Sequence, residues 1–185
     1  MRIALVLGAL LLAAPAPAAG EGRLRNGVQL PAESFDFVTW DPVLKRTPNR
    51  SWRRWGTAKL VYTTQIVLRG YRDAHPDAPR VLVGDLSRPH GGPFGARYGG
   101  LGHATHQTGL DVDVYYPRRD RRERAPRRPQ QVDRRLAQDL VDRFVKVGAI
   151  KVYVGPSLHL RGRRGVVAPL IYHDDHLHVR LRRAD

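Results

Sequence analysis

Five of the eight histidines fall into two short segments that are also rich in aspartate. The first, HATHQTGLDVDVYY (residues 103–116), carries His103 and His106 ahead of a strictly alternating run. Leu110, Val112, Val114 and Tyr116 point one way, and Asp111, Asp113 and Tyr115 the other, which is the period of a strand. Its polar face presents two carboxylates about 7 Å apart. The second segment, HDDHLHVRLR (residues 173–182), alternates as well, with His176, His178, Arg180 and Arg182 opposite Leu177, Val179 and Leu181. Side by side, the two strands would bring Asp113 and His178 to a Cβ separation of roughly 4.5–5.5 Å. His106 could fold back over the same spot from the loop before the first strand. Two imidazoles and one carboxylate are a three-ligand set for Zn²⁺ with the fourth position left to water. A structural zinc would close that position, usually with cysteine, and this chain has none. Paired carboxylates could instead suit Ca²⁺, but imidazole neighbours argue for a softer metal. His75, His90 and His159 stand alone and are read as ordinary hydrogen-bonded or exposed side chains.

The elements that must position these groups can be sketched from periodicity. A length of 185 residues with 42% hydrophobic side chains gives one domain with a real core. Residues 57–74 place Leu60, Val61, Ile66, Val67 and Tyr71 at helical spacing, and residues 130–147 do the same with Val132, Leu136, Leu140, Phe144 and Val145. Residues 80–86, 109–116, 149–154 and 176–182 read as strands. A turn-rich stretch, residues 87–102, holds six glycines and two prolines, and loops of that length in compact domains are commonly functional. No βαβ rhythm is evident. The expected architecture is therefore α+β: a single domain with a central, mainly antiparallel sheet flanked by helices and a metal site on the sheet face.

Composition narrows the partners. The formal net charge is +15, and the absence of cysteine excludes disulfides, thiol nucleophiles and iron–sulfur clusters. Arg2, an apolar run over residues 3–14 and the small-residue stretch Ala16-Pro17-Ala18 read as a secretory signal peptide over residues 1–18, with the functional domain over 19–185. That places the protein in the periplasm or outside the cell, with no integral membrane segment once the leader is removed. Export also makes nucleic acid a poor partner and anionic envelope polymers better ones. Residues 118–128 (RRDRRERAPRR, bounded by Arg118 and Arg128) hold seven arginines. They read either as a solvated, flexible loop or as a docking patch for anionic wall polymer or lipid head groups. No aromatic stacking platform is interleaved with them, against nucleic-acid binding.

THQTGLDVDV (residues 105–114) and HDDHLHVRLR (residues 173–182) closely resemble the two signature segments of the penicillin-insensitive murein endopeptidases, and GDLSRPHGG (residues 84–92) resembles a third. These are exported zinc metallopeptidases of the group that includes lysostaphin-type enzymes, D-Ala-D-Ala peptidases and the hedgehog zinc domain. The resemblance spans residues 38–182. It implies that His106, Asp113 and His178 bind Zn²⁺, that His176 is the catalytic histidine beside the metal, and that His103 and His173 are further active-site histidines. The implied reaction is hydrolysis of peptidoglycan cross-links, typically the D-alanyl–meso-diaminopimelyl bond, by a metal-bound water without a serine nucleophile. Enteric members continue past the His-x-His strand and carry cysteines; this sequence has none and ends at Asp185.

No HExxH motif supplies a glutamate base. His176 is the natural substitute, as base or as oxyanion donor. Asp175 comes second because a strand would turn it away from the metal. Asp111 and Asp174 are expected to orient ligand imidazoles. None of Ser34, Ser51, Ser87 or Ser157 sits in G-x-S-x-G, which removes a serine hydrolase. The alternatives that stay open are a D,D- or L,D-carboxypeptidase on muropeptides, an inactive zinc-bearing wall-binding module, and a basic polymer-binding protein with an incidental metal.

Overall fold

Thr57 opens the first long helix because its side chain accepts the Leu60 amide, meeting one of the donors a helix start leaves free. The computed structural model describes residues 22–98 and 103–183; the leader expected at residues 1–18 lies outside them. In chain order its elements are β1 (Val28–Gln29), β2 (Phe37–Thr39), β3 (Trp55–Gly56), α1 (Ala58–Ala74), β4 (Val81–Val83), β5 (Asp111–Tyr115), α2 (Arg134–Lys146), β6 (Lys151–Val154), β7 (Val167–Pro169) and β8 (His176–Arg180). Helix α1 buries Leu60, Val61, Thr64, Val67, Leu68 and Tyr71. Ile66, expected on that stripe, is instead 67% exposed, and Leu68 takes its place. Helix α2 starts later than its apolar pattern suggests. Residues Pro129–Gln131 form a 3-10 turn first, and Asp133 then caps the helix by accepting the Arg135 and Leu136 amides.

The main sheet has six strands in the order β2-β4-β5-β8-β6-β7. Its three central pairings, β4–β5, β5–β8 and β8–β6, are antiparallel, and the two outer ones are parallel. The parallel neighbours β2 and β4 are joined through α1, so one βαβ unit is present where none was expected. Each of those strands has only three residues, too few for a periodic signal. A separate two-stranded ribbon pairs β1 with β3.

Alternation sorts the central strands into two faces. Val112, Val114, Leu177, Val179, Val152 and Val154 join the apolar faces of both helices in one buried core. Asp111, Asp113, Tyr115, His176 and His178 therefore lie on the opposite face. A small second cluster of Val38, Trp40, Leu82, Tyr115 and Ala125 closes part of that far side. Among the described residues, no helix is long and apolar enough to cross a membrane.

Candidate metal centre

The register of β5 against β8 pairs Asp111 with Arg180, Asp113 with His178 and Tyr115 with His176. Asp113 and His178 thus stand directly opposite each other on the polar face, as the two alternating patterns require. His106 arrives from the loop that precedes β5, and its ring is 1% exposed. Its Nε2 lies 3.1 Å from Nδ1 of His178 and 3.2 Å from Oδ1 of Asp113, and the last two atoms are 3.1 Å apart. Three donor atoms therefore form a nearly equilateral triangle. A tetrahedral metal with bonds of about 2.0–2.1 Å spaces its ligands about 3.3–3.4 Å apart, so the triangle fits Zn²⁺ with little adjustment.

Hydrogen bonds behind the triangle set which nitrogen of each ring faces it. His106 Nδ1–H donates to the Leu86 carbonyl at 2.6 Å, which leaves the Nε2 lone pair free. His178 Nε2–H donates to Asp111 Oδ1 at 3.0 Å and turns Nδ1 inward. Asp111 is fully buried, and Arg180 approaches it at 3.5 Å. Asp111 thus orients a site imidazole. Asp174 does not: its carboxylate accepts the Ser157 amide and hydroxyl at 3.1 and 2.8 Å. It pins the His173 segment to the turn after β6 and touches no ring.

His103, His106 and Asp113 also form a group that could hold a metal ion, with one ligand atom of each within 4.8 Å of the others. That set is looser than the triangle through His178. In addition, His103 Nε2 is committed to Asp85 Oδ2 at 2.7 Å. The tighter triangle is the better match to metal–ligand spacing. Asp85 was not singled out in the sequence. It lies in GDLSRPHGG, is fully buried, and also accepts Arg53 Nη1 at 2.5 Å and Asn49 Nδ2 at 2.9 Å. One short segment therefore fixes both loop histidines, through the Asp85 carboxylate and the Leu86 carbonyl.

His176 hangs beside the triangle rather than in it. Its Nε2 is 3.8 Å from Asp113 Oδ1, and its Nδ1–H donates to Asp175 Oδ1 at 2.6 Å. Asp175 precedes β8, and its carboxylate swings back to the ring. It serves as the partner of His176, a role that strand alternation could not predict. His173 is half-buried, donates Nδ1–H to the Ile171 carbonyl at 2.8 Å, and stacks its ring 4.7 Å from that of His176. A cleft of about 400 Å³ is lined by these histidines, Asp113 and Tyr153, with Tyr172 at its edge.

The electrostatics follow from two buried carboxylates among imidazoles. Burial would raise the Asp113 pKa, but His106, His176 and His178 hold it well below the ordinary carboxylate range. Burial would lower that of His178, yet Asp111 and Asp113 push it up to about 9. His176 is also raised: burial opposes its charge, and Asp113 and Asp175 more than compensate. His173, with no carboxylate bound to its ring, is lowered by burial. The cluster therefore favours a cation at its centre.

The family described as penicillin-insensitive murein endopeptidase matches residues 17–151, a range that contains His103, His106 and Asp113 and stops before the His173 segment. A penicillin-insensitive murein endopeptidase of Salmonella heidelberg is 29% identical over 201 residues, covering 91% of this chain and 68% of that protein. One from Salmonella arizonae is 29% identical over 198 residues with the same coverage. A third, from Pectobacterium atrosepticum, is 34% identical over 128 residues, or 55% of this chain and 44% of its own.

Proposed function

The chain belongs to the penicillin-insensitive murein endopeptidase family, and from that membership we propose that it is an exported, Zn²⁺-dependent endopeptidase acting on D-alanyl–meso-diaminopimelyl cross-links of peptidoglycan. The observation that carries the metal part is the 3.1–3.2 Å triangle of His106, Asp113 and His178 donor atoms. A bound Zn²⁺ would supply Lewis acidity toward the amide carbonyl and toward the attacking water.

The chain's own groups do the rest. Leu86 and Asp111 hold one ring nitrogen each of His106 and His178, so the other nitrogen faces the centre, where a bound metal would take the place of any proton on it. His176 Nε2 faces the reacting centre while Asp175 holds the opposite nitrogen, so the ring can take a proton there and pass it to the leaving amine. As imidazolium it can also donate to the developing oxyanion. His173 lines the same cleft, uncharged at neutral pH, and is suited to donating or accepting a hydrogen bond from substrate. Residues 1–18 are read as the leader that directs the protein to the cell envelope, on the strength of Arg2, the apolar run over residues 3–14 and Ala16-Pro17-Ala18.

Continuity of the cleft favours an endopeptidase over a carboxypeptidase. Tyr172 borders both the histidine-lined cleft and a larger groove beyond it, leaving room for chain beyond the scissile amide. The test is incubation of purified protein with cross-linked muropeptide dimers, with products identified by mass. Dimers should split into monomers, chelator should block the reaction, and β-lactams should not. Release of free D-Ala alone would favour the carboxypeptidase, and covalent labelling by penicillin would overturn the metal mechanism.

A further inference from the structure

The larger groove, of about 580 Å³, is not the one that holds the histidines. It shares Tyr172 with their cleft, and its lining includes Asp175, the hydrogen-bond partner of His176. One wall is built by the arginine-rich segment, and the structure divides that segment into two functional halves. Arg118 donates to Gln131 Oε1 at 3.0 Å, Arg119 donates to the Val132 carbonyl, and Glu123 binds Arg80 at 2.8 Å. These contacts fasten the first half to the body of the domain. Arg124, Arg127 and Arg128 line the groove together with Lys45, and none of the four has an ion-pair partner among the described residues.

The wall is held in place rather than loosely tethered. Ala125, between the free arginines, is buried in the cluster with Val38, Trp40, Leu82 and Tyr115. Trp40 also lines the groove, and its indole Nε1–H is buried without a hydrogen-bond partner. Tyr172, on the boundary with the catalytic cleft, is 87% exposed and has a φ of 65°, a left-handed conformation that a bulky side chain adopts at a cost. Among the described residues, the acids at the groove are Asp174 and Asp175, which hydrogen-bond with Ser157 and His176. Cationic, unpaired and fixed, the wall calls for an anionic group on whatever leaves the catalytic cleft. Guanidinium forks match carboxylates.

Resting on the endopeptidase reading above, we infer that this groove is a substrate subsite in which Arg124, Arg127, Arg128 and Lys45 bind a free carboxylate of the acidic peptide flanking the scissile amide. Tyr172 lines both hollows, so an extended chain seated at the histidines and passing Tyr172 runs on into the groove that the arginines line. The segment is then a specificity element of the cleft and not a separate wall anchor.

The test compares soluble cross-linked muropeptide dimers bearing free carboxylates with the same dimers amidated at those positions. Wild-type protein should favour the free-carboxylate dimer about tenfold or more in kcat/KM, mainly through KM. An Arg124→Gln, Arg127→Gln, Arg128→Gln variant should lose that preference while keeping its zinc content and fold. Calorimetric titration of His176→Ala protein with both dimers reads the same discrimination without turnover. If neither dimer is cleaved but the free-carboxylate form binds more tightly, the endopeptidase reading fails and the subsite stands. If both are cleaved and bound equally well, the subsite fails and the endopeptidase stands. A variant that loses only sedimentation with intact sacculi, with unaltered kinetics on dimers, would show the arginines to be a wall-polymer dock and overturn the inference.

Discussion

At the scale of single residues, the site separates groups that could hold a metal from groups that could move a proton. His178 and His176 share one face of β8, yet only His178 turns a nitrogen into the triangle, while His176 stands 3.8 Å from the Asp113 oxygen. Replacing His106, Asp113 or His178 with Ala should abolish both bound zinc, measured by elemental analysis, and activity. Unchanged zinc in all three variants would reject the triangle. His176→Ala should keep zinc and fold while turnover falls about 10²–10⁴-fold, the range for one acid–base group, with the loss in kcat. Loss of zinc, or near wild-type turnover, would contradict that role. Asp175→Asn tests the positioning contact. A neutral amide still reaches His176 Nδ1 but no longer favours the imidazolium, so kcat should fall by less than in His176→Ala while KM and zinc hold.

At the scale of elements, the close approach of β6 to the segment before β8 decides where His173 and His176 sit. Gly155, just after β6, makes it possible. A Cβ there would lie 2.3 Å from Asp174 Oδ1, 2.5 Å from its Cα and 2.6 Å from the His173 carbonyl oxygen. Because two of these are backbone atoms, Gly155→Ala must push the segment away. It should destabilise the protein by about 1–3 kcal/mol, as overpacking usually does, and lower kcat/KM more than tenfold. Denaturant melts and kinetics on the same preparation measure both, and wild-type kcat/KM would show the contact to be irrelevant to the site. Leu140→Ala on α2, by contrast, empties core behind the sheet. It should cost about 2–5 kcal/mol with little change in kcat. The β5–β8 register was legible in the sequence because period-two alternation ties Asp113 and His178 to the same face. Helices α1 and α2 were legible from their stripes, with Ile66 misassigned because a residue at the edge of a stripe can face either way. Strands β2, β4 and β7 were not, or not to their true extent, since three residues carry no period. Asp85 and Asp174 were missed or misassigned because their partners, His103 and Ser157, are brought to them by chain folding and not by spacing.

At the scale of the whole molecule, a chain with a formal charge of +15 relies on its few acids to anchor cationic surface, and that reliance is sensitive to acid. Burial alone would raise the Asp41 pKa. The hydrogen bond from Arg50 at 2.5 Å and the Leu44 and Val43 amides, both at 2.9 Å, hold it below the ordinary value instead. Hydrogen bonding from Arg118 similarly lowers Asp120 to about 2. Groups whose folded pKa is depressed contribute stability that is fully present above the unfolded carboxylate range, about pH 4, and lost as pH falls through the folded value. Stability measured in urea should therefore be nearly flat from pH 6 to 5 as far as these acids are concerned, and decline below pH 4. His173, whose pKa burial lowers, also takes up a proton on acidification, so the informative quantity is the difference between variant and wild type. Asp41→Asn should be less stable by about 1–3 kcal/mol at pH 6, because a buried carboxylate with charge-assisted bonds is lost. The gap should narrow by pH 3, where the wild-type carboxylate is itself being neutralised. A gap that stays constant across that range would mean that Asp41 acts through shape alone and that its charge contributes nothing to the turn it caps.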